Sequence, residues 1–83
     1  MELISMIEYK VESWAYGTCH YFEDEFVSIA INHYNKWQNA KFEGWKFHVM
    51  IAISGELKYN ELLNLADWKA AETFATNKLG ELR

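Results

Sequence analysis

Residues 21–38, YFEDEFVSIAINHYNKWQ, set the expected fold class. Phe22, Phe26, Ile29, Ala30, His33 and Trp37 recur at i, i+4, i+7, i+8, i+11 and i+15, the spacing of one face of a helix. Val27, Ile31 and Tyr34 widen that stripe to an apolar arc of about 200°. Asp24, Glu25, Ser28, Asn32, Asn35 and Lys36 fall on the opposite side. Thr18 stands where an N-cap belongs, and Glu23, Asp24 and Glu25 suit the positive end of a helix dipole. The spacing therefore predicts a helix over 21–38, wide enough to be covered by more than one neighbour.

Downstream, the period changes. Trp45, Phe47, Val49, Ile51 and Ile53 alternate with Lys46, His48, Met50 and Ala52, which predicts a strand over 45–53. Ser54-Gly55 can form a two-residue hairpin turn, with residues 56–59 as a short return strand, or can lead directly into a helix. Residues 60–79 then predict a second helix with two stripes. Leu62, Leu63, Ala66, Ala70 and Phe74 form one; Trp68, Ala71, Ala75, Leu79 and Leu82 form the other. Upstream, Ile7, Tyr9 and Val11 alternate with Glu8, Lys10 and Glu12, although Leu3, Ile7, Val11 and Trp14 also fit a helix. The β-branched and aromatic residues favour a strand, ended by Gly17. The expected order is β-α-β-(β)-α: an α+β domain over 1–83, with two helices packed on one face of a small three-stranded sheet and a right-handed crossover between the first two strands.

Eighty-three residues make one domain with a modest core, and a 51% hydrophobic, 17% aromatic composition supplies enough large side chains to fill it. Surplus apolar surface points to a partner or a second copy. Cys19 is the sole cysteine, so no disulfide can form within the chain, and a reducing cytoplasm is the expected compartment. The N-terminus lacks a basic leader, and no apolar run approaches the ~20 residues of a membrane span. The net charge of −4 is uneven: residues 1–25 carry −5, whereas residues 36–46 carry +2 through Lys36, Lys41, Lys46 and Glu43. Without a cluster of Lys and Arg, direct binding to nucleic acid is not expected.

Few residues point to chemistry. His20, Glu23 and Asp24 would share one face of a helix and could hold a metal, but no second histidine or cysteine pair supports them, and no metal or cofactor is expected. His33 lies within the apolar arc and His48 on the polar side of the predicted strand. Nucleophile and phosphate-loop motifs are absent, so the chain is not expected to be an enzyme. Trp14, Tyr16, Tyr21, Trp37, Phe42 and Trp45 gather near predicted element ends, where aromatics serve as core lids, interface anchors or stacking surfaces.

These features favour a small acidic protein-binding module. The expected role is an inhibitor or regulator of the kind phages and mobile elements use against host defence. It would bind a basic surface on a protein or complex that handles nucleic acid. Glu23, Asp24, Glu25, Trp14 and Tyr16 are its expected partner-binding residues. The alternative is a small-ligand binder that holds a nucleotide-like ring in an aromatic pocket, possibly between subunits, with Lys36, Lys41 and Lys46 facing any phosphate. A homodimer is expected through Trp68, Ala71, Ala75, Leu79 and Leu82, because the two stripes of the second helix cannot both face one small sheet.

Overall fold

Alternation, not helical spacing, governs residues 17–34. The computed structural model describes residues 8–14, 17–34 and 46–83. These form five strands, β1 (Glu8–Trp14), β2 (Gly17–Glu23), β3 (Val27–Tyr34), β4 (Lys46–Ile53) and β5 (Glu56–Asn64), followed by one helix, α1 (Trp68–Leu82). The strands lie in the order β1-β2-β3-β4-β5, every neighbouring pair antiparallel. This overturns the expected three-stranded sheet with two helices on one face, and with it the right-handed crossover.

The predicted helix over 21–38 is instead the end of β2, a turn and β3; its last four residues lie outside the described ones. The apolar side chains there satisfy two periods at once. Val27, Ile29 and Ile31 alternate with Ser28, Ala30 and Asn32, and the β-branched members prefer extended backbone. Asp24 breaks the run by forming a turn, so Thr18 is a strand residue and not a cap.

β4 follows the expected register. Phe47, Val49 and Ile51 are fully buried on one face, opposite His33, Ile31 and Ile29 of β3. Trp45 lies outside the described residues. Ser54 (φ 53°) and Gly55 (φ 79°) both adopt positive φ, as a two-residue type I′ hairpin requires. The return strand runs to Asn64, well beyond the expected 56–59. Its pairing with β4 shifts register between Ile51 and Ala52, with Lys58 as the additional residue.

Residues 60–64 thus belong to β5, and the C-terminal helix begins only at Trp68. Asp67 caps it, its carboxylate accepting from the Ala70 amide at 2.9 Å. Ala71, Ala75 and Leu79, at i, i+4 and i+8, turn toward the sheet and join Phe22, Val27, Ile29, Ile31, Phe47, Val49 and Ile51 in one core. Among the described residues, α1 is the only element packed on the sheet, and it lies over β3 and β4.

Candidate protein-binding surface

The acidic triplet occupies the β2–β3 turn, and its three members have different roles. The Asp24 amide donates to the Val27 carbonyl at 2.9 Å. One carboxylate oxygen of Asp24 accepts from the Phe26 amide at 2.9 Å and the Val27 amide at 2.7 Å. The other lies 3.7 Å from the Arg83 guanidinium at the chain's C-terminus. The two amides, Phe26 first, hold the Asp24 carboxyl below its usual range, and Arg83 adds to the effect. Asp24 therefore builds the turn, while Glu23 and Glu25 are exposed beside it.

Phe26 sits at the tip of this turn and is 62% exposed. Its carbonyl accepts from the Ser54 amide at 2.7 Å, which ties the β2–β3 turn to the β4–β5 turn. Both backbone groups of an exposed phenylalanine are thus fixed. Helical spacing would place this residue in a buried arc; Asp24-Glu25, a pair suited to a turn, is the local signal against it.

Trp14 does not join the triplet. It pairs with Gly17, whereas Glu23 pairs with Glu8 at the other end of the same two strands. The separation is roughly 20 Å, from six steps of ~3.3 Å. Alternation places Trp14 and Glu23 on one face of the sheet, the face away from α1. Lys10 and Glu12, an ion pair at 2.7 Å, lie between them, and Tyr21 is opposite Lys10. Trp14 is 45% exposed and meets Tyr34 edge-on, with ring centroids 6.0 Å apart. Cys19, on this face, is buried, and burial raises its thiol pKa. Its hydrogen bond to Tyr21 is the main reason that the Tyr21 hydroxyl is pushed up to about 12. Tyr16, Trp37, Phe42, Lys36 and Lys41 lie outside the described residues.

The histidines are dispersed. His20 points toward the helix side and Glu23 away from it, so the strand separates the metal trio that a helix would have assembled. Among the described residues no three His, Cys, Asp or Glu side chains are placed to hold a metal. His20 Nδ1 hydrogen-bonds the Tyr9 hydroxyl at 2.8 Å, and its ring rests 4.2 Å from that of Trp68. Burial, then the neighbouring His33, lowers its pKa. His33 stacks on Phe47 at 4.4 Å and 15°, and burial lowers its pKa too. His48, on the other face, hydrogen-bonds Asn60.

The stripe expected to mediate self-association has an intramolecular role. Ala71 and Ala75 are fully buried and Leu79 nearly so, while Trp68 and Leu82 pack at the margin of the same core. The reason is topological: residues 21–34, expected to form the helix that covers the sheet, are themselves strands and a turn, and the sheet face receives this stripe instead. No helix among the described residues is long and apolar enough to cross a membrane. No protein-family model, curated protein or solved structure matches the chain.

Proposed function

We propose that this chain is a small acidic protein-binding module, an inhibitor or regulator that docks its β2–β3 turn on a basic surface of a protein or complex that handles nucleic acid. The observation that carries this reading is the fixed, exposed Phe26 flanked by exposed Glu23 and Glu25. An exposed phenylalanine on a backbone already held at its amide and its carbonyl needs no ordering of the turn on binding, and flanking carboxylates favour a pocket rimmed by Lys and Arg. Surfaces that contact phosphate backbones have that character.

The test is capture of a partner from a lysate of the native host, followed by titration of the purified pair. Glu23→Lys/Glu25→Lys leaves Asp24 to hold the turn, so the fold should be kept while affinity drops on the order of tenfold or more. Phe26→Ser should weaken binding comparably. Wild-type binding should also weaken as salt rises from about 0.05 to 0.5 M. Binding indifferent to both the charge reversal and salt would exclude an acidic interface.

A further inference from the structure

β1 is an edge strand with unusual exposure. Every residue from Tyr9 to Trp14 is exposed, including three large apolar ones: Tyr9 at 52%, Val11 at 46% and Trp14 at 45%. Tyr9 and Val11 lie on the helix side, opposite Phe22 and His20; Trp14 lies on the other. Among the described residues β2 is its only strand neighbour, and the outer row of β1 amides and carbonyls faces no described strand. Edge strands are usually blunted, because such a row templates further pairing. The other edge is blunted: β5 carries the bulge at Lys58.

We infer that β1 is a homodimer interface, in which two copies pair their β1 strands antiparallel about Val11 to form one continuous ten-stranded sheet. The charge pattern selects both the partner and the register. In a twofold antiparallel pair, opposed residues share a face and the central residue meets its own copy. Centring on Val11 pairs all seven residues of Glu8–Trp14. It sets Lys10 opposite Glu12 of the partner subunit and Glu12 opposite the partner subunit's Lys10. Those four charges form a closed quartet on one face, while the two Val11 side chains meet on the other. Centring on Lys10 or on Glu12 brings like charges together. Centring on Tyr9 also opposes Lys10 to Glu8 but pairs only Glu8–Lys10 of the strand. β5 has no equivalent along its length: centred on Asn60 it would set Lys58 against Leu62, and centred on Leu57, which opposes Lys58 to Glu56, it pairs only Glu56–Lys58 of the strand. The dimer leaves both β2–β3 turns free, and the inference does not rest on the proposed function.

Sedimentation of the purified chain and its charge variants tests this. Wild type should be dimeric. Lys10→Glu and Glu12→Lys alone each turn two attractive pairs into repulsive ones, and should raise the dimer dissociation constant on the order of tenfold or more while leaving the melting transition in place. Mixing the two variants should restore the dimer, because Glu at 10 in one copy then faces Lys at 12 in the other. Under mild oxidation Val11→Cys should cross-link readily, whereas Glu61→Cys on β5 should not. A wild type that remains monomeric up to about 1 mM overturns the inference. So does a dimer insensitive to either charge variant, a mixture that fails to reassociate, or cross-linking no faster at 11 than at 61.

Discussion

Gly17 begins β2 directly opposite Tyr34, and the chain passes very close to its neighbour there. A Cβ at this position would lie 2.3 Å from the His33 carbonyl oxygen and 2.8 Å from the Tyr34 Cα, both backbone atoms of a paired strand. Neither can move aside without opening the β2–β3 ladder. Gly17→Ala is therefore expected to destabilise the fold by about 1–3 kcal/mol, the usual range for overpacking, as a lower urea midpoint. In sequence Gly17 reads only as punctuation; the reason for it is a contact with His33 and Tyr34 on the neighbouring strand. Asp24 is the converse case. Its turn-forming chemistry is local and was legible, but the helical spacing around it outweighed it.

Among the elements, α1 shows how a stripe can be read correctly and assigned to the wrong neighbour. The spacing of Trp68, Ala71, Ala75, Leu79 and Leu82 identifies residues that share a face, and they do. Spacing says nothing of what that face meets. Two fully buried alanines at the contact let the helix lie close over β3 and β4. Ala75→Glu would bury a charge against Ile and Val side chains and should unfold the domain rather than dissociate an oligomer, a loss of at least ~3 kcal/mol. Thr73→Glu, on the exposed side of the same helix, should change stability by no more than about 0.5 kcal/mol. Thermal melts of the two variants separate a core stripe from an interface stripe. A melting transition for Ala75→Glu that matches wild type would remove the stripe from the core.

Across the molecule, burial on the helix side of the sheet links stability to pH. His20 and His33 both have pKa values lowered by burial from 6.5. The unfolded chain therefore binds these protons more readily than the folded one. Stability is fully present above the unfolded value and is lost as pH falls through it toward the lower folded values. The melting temperature should drop between about pH 7.5 and 5, and His20→Gln/His33→Gln should flatten that dependence even if it lowers stability overall. Asp24 contributes separately. Its lowered carboxyl pKa supports the fold above its ordinary value of 3.8 and is lost only in stronger acid. A pH slope unchanged in the double variant would place the coupling elsewhere.

Composition and local alternation were enough for a mixture of strand and helix, the buried face of β4 and the shared face of α1, and they offered the Ser54-Gly55 turn as one of two readings. Those features depend on neighbours in the chain: period two, positive φ and i, i+4 spacing are all local. The number of strands, the end of β5 and the destination of the helical stripe were settled only by tertiary structure. Residues 27–34 carry apolar side chains that fit a helix or a strand, and β2 and β4 resolve the choice by offering a hydrogen-bonding edge on each side. Among the described residues one helix packs on this five-stranded sheet, and its stripe of Ala71, Ala75 and Leu79 is core. The edge exposed at β1 and the phenylalanine presented at the β2–β3 turn follow from that arrangement.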